Sequence, residues 1–338
     1  MCMIAGYIGH RNAVDVLTEM IRRQEFIFGG FYTGMATIEH GRLRRERIVG
    51  PLRELEASGR LRRLSGMIGI AHSRTNDGGG IAWSQPRFDD RDSIASVGMG
   101  VGGILGSADL SRQVAAALSD EGAVFQTRSV GGKLNGVELP DGDIVHSGEV
   151  ALFALARGYR RQGSLRRALT SLNLRSESVN VYLIESEPAR LYVVNQNQRL
   201  VISRNGNEVF LSSSMLGFPS ATNWTCEVPP NTLATVSGKE ITFEPLWEDE
   251  ARFDFSIPAE AGRTFLDYVR STPGTSWHEA VCNSLGPILP SGRATMSHIL
   301  GHWVLEALLK ENKIRMEIAN VVGRDGQQDV PQARLFPV

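Results

Sequence analysis

The chain has few cysteines, no excess of either charge and no long apolar run, and each shortage excludes a class of protein. Its 338 residues include 3 cysteines, which cannot build a disulfide framework, and no Cys-x-x-Cys pair suggests zinc. Its 36 Lys and Arg residues balance 37 Asp and Glu residues, so neither a nucleic-acid partner nor a membrane partner is predicted. No apolar run reaches the roughly 18 residues that span a bilayer.

The remaining composition is that of a folded protein from a reducing compartment. The N-terminus lacks a basic segment followed by an apolar one, so no secretory signal is predicted, and the cytoplasm is the expected location. The hydrophobic fraction of 42% and the charged fraction of 22% exclude wholesale disorder. Glycine is in excess, at 36 residues, and predicts many turns and close backbone approaches.

Length and local pattern divide the chain into two units. At roughly 150 residues per domain, the length suggests about two domains, and an acidic, aromatic stretch at 247–255 marks the change. Residues 2–247 alternate short strands and helices. Residues 250–338 are a mostly helical extension ending in a hairpin, for which packing, lid and dimerisation roles are open. The predicted helices are 259–270, 277–285 and 295–311, and the predicted hairpin strands are 313–322 and 330–338.

Two polar stretches of the first unit have alternative interpretations. Residues 42–63 hold eight arginines, a run typical of a solvated helix face, although contact with an anionic ligand or partner is the sharper alternative. Residues 128–146 contain Gly-Gly, Asn-Gly and Asp-Gly turn signals and predict a long loop or an inserted hairpin.

Cys2 is the residue that most suggests chemistry. Methionine aminopeptidases remove Met1 when the second side chain is small, which would leave a thiol and a free α-amine on one residue. An α-amine has a pKa of about 7.7–8.0 and can act as a base near neutral pH. A thiol paired with its own amine is a compact activated nucleophile. Position 2 alone is weak evidence, because a cysteine there commonly has no such role.

Cys2 opens a series of stretches that follow one another in a recognisable order. Residues 2–9 read Cys-Met-Ile-Ala-Gly-Tyr-Ile-Gly, and residues 70–74 read Ile-Ala-His-Ser-Arg. In order and spacing the series resembles the class II glutamine amidotransferases, particularly the glutaminase domain of glucosamine-6-phosphate synthase, over about residues 2–247. No sugar-phosphate isomerase domain follows, so a complete synthase is not expected. The matching stretches are 2–9, 29–36, 70–74, 102–105, 164–169, 200–202 and 210–213.

The resemblance implies an α+β protein with the four-layer αββα N-terminal-nucleophile hydrolase fold. Two antiparallel sheets would stack face to face, with Cys2 on a strand near the middle. In that family the cysteine thiolate attacks the side-chain amide of glutamine and releases ammonia through a thioester. An Asn side chain and the next Gly N–H form the oxyanion hole, an Arg binds the substrate carboxylate, and an Asp binds the substrate ammonium.

Part of this apparatus is present in the sequence. The resemblance makes Cys2 the nucleophile, the Gly103 N–H an oxyanion donor, and Arg74 the group that binds the carboxylate, for which a guanidinium is suited. Thr75 begins the stretch that follows this arginine and is included among the substrate-binding residues.

Other positions depart from the family pattern. Gly102 stands where the family has the oxyanion Asn, and loss of one such donor typically costs roughly 10²–10³ in rate. Ser147 stands at about the position of the ammonium-binding Asp. Met3 replaces the Gly after the nucleophile, and Phe28 replaces an Arg. We therefore expect weak or absent activity on free glutamine unless the 128–146 stretch supplies new groups.

Six residues are candidates to restore the missing groups. An asparagine could supply the oxyanion amide, an aspartate could bind the ammonium, and a histidine could assist proton transfer. A turn is the plainer interpretation for Asn135, Asp141 and Asp143. A structural role at the end of a strand is the plainer interpretation for His72. The candidates are Asn76, Asn135, Asp141, Asp143, His72 and His146.

Two functions are open from the sequence. The first is Cys2-dependent hydrolysis of the side-chain amide of glutamine or a related carboxylate-bearing compound, with ammonia passing to a partner enzyme. The second is a catalytically degenerate protein that keeps the fold as a binding or regulatory subunit. The expected partner is a small-molecule amide such as glutamine, a partner enzyme or homo-oligomer is a further alternative, and no cofactor or metal is expected. Cys226 and Cys282 are predicted to be core residues.

Overall fold

The computed structural model describes residues 2–76, 78–101, 108–129, 136–173, 175, 177–219, 224–248, 257–289 and 296–338. The strands are β1 (Met3–Ile8), β2 (Tyr32–Glu39), β3 (Arg42–Val49), β4 (Ile68–Arg74), β5 (Arg87–Phe88), β6 (Ile94–Val101), β7 (Gly136–Glu138), β8 (Ile144–His146), β9 (Glu177–Ile184), β10 (Leu191–Asn195), β11 (Val201–Asn205), β12 (Glu208–Ser212), β13 (Trp224–Glu227), β14 (Thr232–Val236), β15 (Ile241–Pro245), β16 (Thr275–Ser276), β17 (Ile314–Val321) and β18 (Val330–Pro337). The α-helices are α1 (Ala13–Arg22), α2 (Glu25–Phe28), α3 (Leu52–Ala57), α4 (Ala108–Asp120), α5 (Ser147–Gln162), α6 (Leu165–Ser171), α7 (Ala261–Ser271), α8 (Trp277–Ala280) and α9 (Met296–Lys310).

Two antiparallel sheets form the centre of the fold. Their strand orders are β13-β11-β12-β1-β4-β2-β3 and β15-β14-β10-β9-β6-β5. Apolar side chains of both sheets meet in one core, with Ile4 and Ile70 from the first sheet and Val97 and Val181 from the second. Branched apolar residues suit this face-to-face packing. β1 is the fourth of seven strands, so the predicted position of Cys2 near the middle of a sheet is confirmed, although Cys2 directly precedes the strand.

Helices cover the outer faces of both sheets. α1 buries an apolar stripe that includes Leu17 and Ile21 against Tyr7 and Phe210 of the seven-stranded sheet. α4, α5 and α6 pack on the six-stranded sheet through a second core that includes Phe153. The layers therefore run helix, sheet, sheet, helix, which confirms the predicted αββα fold. Among the described residues, no helix is both long enough and apolar enough to cross a membrane.

The C-terminal unit packs on the outer face of the seven-stranded sheet. α7, α8 and α9 share a core with Met3 of β1 and Ile27 of α2, and this core includes Trp277. β17 and β18 pair along their length in the region of the predicted hairpin, and β16 joins them. The Arg199 guanidinium ties the two units together through two contacts of 2.8 Å to the Glu306 carboxylate. The division into two domains near residue 250 stays a prediction.

The arginine-rich run at 42–63 does not form one helix face. Its first part is β3, the edge strand of the seven-stranded sheet. Side chains alternate along a strand, so Arg45 packs over the Phe88 ring, with its guanidinium carbon 4.3 Å from the ring centre. Arg47 donates a hydrogen bond of 2.9 Å to the Ser84 carbonyl. The helical interpretation failed here because arginines occupy both faces of the strand and hide its alternation.

Candidate active site

Cys2 directly precedes β1, and its side chain belongs to the core between the two sheets. It is 8% exposed, and its Sγ lies 4.0 Å from the Oγ1 of Thr75. β4 runs antiparallel beside β1, with Met3 opposite Ser73. The pairing of these two apolar strands therefore brings the end of β4, and the loop that follows it, beside Cys2.

Alternation along the strands decides which side chains share the inner face of the sheet with Cys2. Ile4 and Ile70 point into the core between the sheets. His72 and Arg74 follow Ile70 at intervals of two residues and therefore lie on the same face. Both are buried, and Arg74 is only 1% exposed. This end of the inner face thus carries a thiol, an imidazole and a guanidinium.

Arg74 is held in place from two sides. Its Nη1 donates a hydrogen bond of 3.1 Å to the Gly78 carbonyl. Its guanidinium carbon lies 5.2 Å from the centre of the Tyr32 ring, which is within cation–π range. A planar guanidinium can bind a carboxylate through two hydrogen bonds. Arg74 is therefore a candidate carboxylate-binding group beside Thr75 and Cys2.

Arg87 is a candidate site residue that the sequence analysis missed. It is buried in the two-residue strand β5, and its Nη2 donates a hydrogen bond of 3.1 Å to the Trp83 carbonyl. Burial, followed by repulsion from Arg74, lowers the pKa of Arg87 to about 9, while the charge of Cys2 acts in the opposite direction. No local pattern marks this arginine, since β5 is too short to show a period.

His72 and His146 are both buried and uncharged at neutral pH. Burial, followed by repulsion from Arg87, lowers the pKa of each imidazole well below its ordinary value. The His146 Nδ1 accepts a hydrogen bond of 2.9 Å from the Gly148 N–H and so caps α5. Its ring packs edge-on against Trp83 at 4.9 Å. These contacts give His146 a structural role and leave His72 as the imidazole on the face of Cys2.

The start of α5 carries Ser147 and Glu149, and both are buried. The Glu149 carboxylate accepts hydrogen bonds from the backbone N–H groups of Gln126, at 2.8 Å, and Thr127, at 3.0 Å. It also accepts one from the Thr127 hydroxyl. These three hydrogen bonds fix the segment before the β7–β8 hairpin to Glu149. The position that the resemblance assigns to the ammonium-binding Asp carries an uncharged hydroxyl.

Curated proteins with related sequences share a name. The chain is 30% identical over 226 residues to a glutamine–fructose-6-phosphate aminotransferase (isomerizing) of Rhizobium meliloti, a match that covers 66% of the chain and 33% of the relative. It is 29% identical over 222 residues to the protein of that name from Pyrococcus horikoshii, with 64% and 33% covered. The chain thus spans about a third of the length of these relatives. No family model matches it.

Solved structures agree on the fold. The allosteric regulatory enzyme of purine biosynthesis matches with a TM-score of 0.59 at 17% identity, over 78% of this chain and 56% of that one. Glutamine phosphoribosylpyrophosphate amidotransferase from B. subtilis, complexed with ADP and GMP, matches with a TM-score of 0.59 at 15% identity, over 100% of this chain and 72% of that one. The chain has the fold of the class II glutamine amidotransferases. The resemblance inferred from the sequence is confirmed.

Three amidotransferase positions considered in the sequence lie outside the described residues. They are Gly102 and Gly103, which stand at the oxyanion positions, and Asn135, which was a candidate replacement for the oxyanion Asn. The roles of all three stay predictions, as do those of Cys2 and Arg74.

Other candidates to restore the missing amidotransferase groups have contacts of a structural kind. The Asn76 Oδ1 accepts a hydrogen bond of 2.7 Å from the Arg324 N–H. Asp141 and Asp143 lie in the turn between β7 and β8, and both pair with the half-exposed Arg128. The pairing of β7 with β8 shows that the described part of this stretch is a hairpin. These contacts fit the interpretation of the two aspartates as turn residues.

The turn between β17 and β18 packs on the loop that follows Arg74. The Asp325 carboxylate accepts a hydrogen bond of 2.6 Å from the Tyr32 hydroxyl and one of 2.9 Å from the Gly80 N–H. Tyr32 contacts Arg74 directly. The C-terminal unit therefore helps to hold two elements that position this arginine.

The prediction that Cys226 and Cys282 are core residues is wrong. Cys226 is partly exposed and Cys282 is exposed. Cys226 lies on β13, at the edge of the seven-stranded sheet, where one strand face meets solvent. Cys282 lies on the outer side of a helical segment that follows α8. Apolar composition alone could not separate these surface positions from core positions.

Proposed function

We propose that the protein hydrolyses the side-chain amide of glutamine or of a related carboxylate-bearing compound, with Cys2 as the nucleophile. The observation that supports this is the placement of Cys2 and Arg74 on one inner face, at the end of the paired strands β1 and β4. Removal of Met1 is part of the proposal, because the Cys2 α-amine is the base that the reaction needs.

The reaction proceeds in two steps. The Cys2 Sγ attacks the amide carbon to form a C–S bond, and the thiol proton passes to the α-amine. The resulting α-ammonium then protonates the amide nitrogen as the C–N bond breaks, so ammonia leaves and a thioester remains. Water then adds to the thioester carbon as the α-amine takes its proton, the C–S bond breaks to release the carboxylic acid, and the α-ammonium returns the proton to the Cys2 sulfur. Arg74 holds the substrate carboxylate so that the amide carbon lies at Sγ, and the Gly103 N–H is the oxyanion donor.

The charges around Cys2 favour a substrate with a carboxylate and no α-ammonium. Arg74 and Arg87 are buried guanidinium groups, Ser147 is uncharged, and Glu149 already accepts three hydrogen bonds. A substrate ammonium would therefore lack a free carboxylate partner at the position where the family supplies one, which carries a desolvation cost. Glutaramate, which is glutamine without its α-amino group, fits this charge distribution better than glutamine does.

We extend the proposal to transfer of the released ammonia to a partner enzyme. The Rhizobium and Pyrococcus relatives are named as aminotransferases that use glutamine and fructose-6-phosphate, so release of ammonia from glutamine for use elsewhere is the chemistry that their name suggests.

A second candidate function is a binding or regulatory subunit. Gly102 has no side chain to donate to an oxyanion, and Ser147 has no charge to bind an ammonium. The same inner face would then bind a carboxylate ligand through Arg74 without turning it over.

Ammonia release from the full chain tests the proposal, after intact mass has verified that Met1 is absent. We expect release that Cys2→Ala abolishes and that Cys226→Ser, the matched control, leaves unchanged. We also expect glutaramate to react at least about tenfold faster than glutamine, because roughly 1.4 kcal/mol of binding is at stake. Binding of both compounds without any release would replace the first function by the second.

A further inference from the structure

A group of three side chains in the C-terminal unit combines two imidazoles and a thiol. His278 lies on α8, and Cys282 follows one helical turn later in the π-helical segment Val281–Leu285. His298 lies in the first turn of α9. One ligand atom from each of these residues lies within 4.8 Å of the others. We name these three residues the histidine–cysteine cluster.

Two of the three distances between donor atoms in the histidine–cysteine cluster are close to those of tetrahedral coordination. A metal with bonds of about 2.0–2.1 Å to nitrogen and about 2.3 Å to sulfur places its ligand atoms about 3.3 Å apart for two nitrogens and about 3.6 Å apart for nitrogen and sulfur. The His278 Nδ1 lies 3.3 Å from the His298 Nε2. The Cys282 Sγ lies 3.7 Å from the His278 Nδ1 and 3.8 Å from the His278 Nε2.

The His298 imidazole directs its Nε2, rather than its buried Nδ1, toward His278. Its Nδ1 is buried and has no hydrogen-bond partner among the described residues. The π-helical turn that carries Cys282 is a rare element that occurs frequently at functional sites.

Aromatic rings pack against both imidazoles of the cluster. The Phe28 ring lies 4.8 Å from the His278 ring, and the Trp277 ring lies 5.7 Å from the His298 ring. Such an apolar shell limits the access of water and holds the ligands in orientation. Cys282 and His278 are exposed, so a fourth ligand can come from solvent.

We propose that the histidine–cysteine cluster binds a divalent transition metal ion, with zinc as the metal that its donors favour. Two imidazoles and one thiolate are a preferred donor set for zinc, and three protein ligands leave one coordination position open. The lack of a Cys-x-x-Cys pair does not argue against this site, because its ligands come from two helices that meet only in the folded chain.

Cobalt(II) is the probe for this site, since it occupies zinc sites and thiolate coordination gives it a charge-transfer absorption band. The untagged full chain is treated with a chelator, titrated with Co²⁺, and then titrated with Zn²⁺. We expect one Co²⁺ per chain, a thiolate charge-transfer band, and loss of that band when Zn²⁺ displaces the probe.

Substitutions assign the band to particular residues. Cys282→Ser should abolish it, and His278→Gln and His298→Gln should each weaken Co²⁺ binding by more than about tenfold. Cys226→Ser and Cys2→Ala are the matched controls and should leave the band unchanged. Circular dichroism of the metal-free variants checks that each is folded, and substitution of the exposed Cys282 should disturb packing least. Absence of the band in the parent chain, or a band that survives Cys282→Ser, would show that the cluster is only a set of hydrogen-bonded side chains.

Discussion

The two faces of the strand pair β1–β4 carry different chemistry. On the inner face, Cys2 and Arg74 lie between the two sheets. On the outer face, Met3 packs under the C-terminal unit, and the Ser73 hydroxyl accepts a hydrogen bond of 2.7 Å from the Gly30 N–H. Consecutive residues of one strand therefore belong to different sites, because the side-chain period of a strand is two residues.

The same comparison extends to the two cysteines for which we propose functions. Cys2 shares its face with the buried guanidinium of Arg74, which favours an anionic ligand. Cys282 lies beside imidazoles, which favour a metal ion. The neighbouring side chains, rather than the thiols themselves, separate an amide-hydrolysing site from a metal site.

The largest loss of stability is expected from substitution of Glu306, which lies on α9 in the unit that packs on the outer face. This carboxylate binds Arg199 twice and also accepts hydrogen bonds from the Ser214 hydroxyl, at 2.9 Å, and the Met215 N–H, at 2.8 Å. We expect Glu306→Ala to lower the free energy of unfolding in urea by about 3 kcal/mol, because a buried guanidinium loses its main partner. Glu311→Ala, at an exposed ion pair, is the control and should change it by less than about 0.5 kcal/mol. Equal effects would show that the two units are only loosely coupled.

The inner face should respond to Arg74→Ala through ligand binding. In the Cys2→Ala background, where no turnover occurs, we expect the Kd for glutaramate to rise about 30-fold. This corresponds to about 2 kcal/mol for the loss of a charged hydrogen-bonded pair. Arg44→Ala, on the exposed side of β3, should leave the Kd unchanged. Calorimetric titration measures both, and equal Kd values for the two variants would remove the proposed anchor of the substrate.

Glu25 allows the outer face to be tested through pH. Burial raises the pKa of this carboxyl from 4.5 to about 7, so folding favours its protonated form. Its contribution to stability is complete below the unfolded pKa and is lost as the pH rises toward 7, by about 1.4 kcal/mol per pH unit inside this window.

The parent chain should therefore lose about 1.4 kcal/mol relative to Glu25→Gln between pH 5.5 and 6.5. The surface variant Glu19→Gln should follow the parent at both values. Urea unfolding at the two pH values measures the difference, and parallel behaviour of the parent and Glu25→Gln would contradict it.

Ser147→Asp should shift the ligand preference of the inner face from glutaramate toward glutamine. A carboxylate at this position gives a substrate ammonium the partner that the parent chain lacks there. We expect the ratio of glutamine binding to glutaramate binding to rise about fivefold, or about 1 kcal/mol. Ser147→Asn, which is similar in size to the aspartate variant but uncharged, should not change the ratio. A ratio unaffected by the aspartate would show that Ser147 does not face the substrate.

Sequence reasoning identified the fold because the stretch that follows Cys2 and the stretch that ends at Arg74 are regular strands, whose order and spacing can be compared along the chain. It could not identify Arg87 as a site residue, because a two-residue strand has no period. Arg87 and Arg74 also belong to different sheets and interact only in the folded chain. Sequence reasoning also misplaced Cys282, since the two helices that carry His278 and His298 lie about twenty residues apart and meet only through packing. Local patterns predicted elements, while contacts between elements required the structure.

The thioester is the species that tests the central claim most directly. The Met1-processed chain is mixed with glutaramate, quenched in acid within the first turnover, and measured by intact and peptide mass. We predict an adduct with the mass of glutaramate minus ammonia on the peptide that begins at Cys2, and no adduct in Cys2→Ala. An unmodified N-terminal peptide in a chain that releases ammonia, or an adduct on Cys226 or Cys282, would contradict the assignment of Cys2 as the nucleophile.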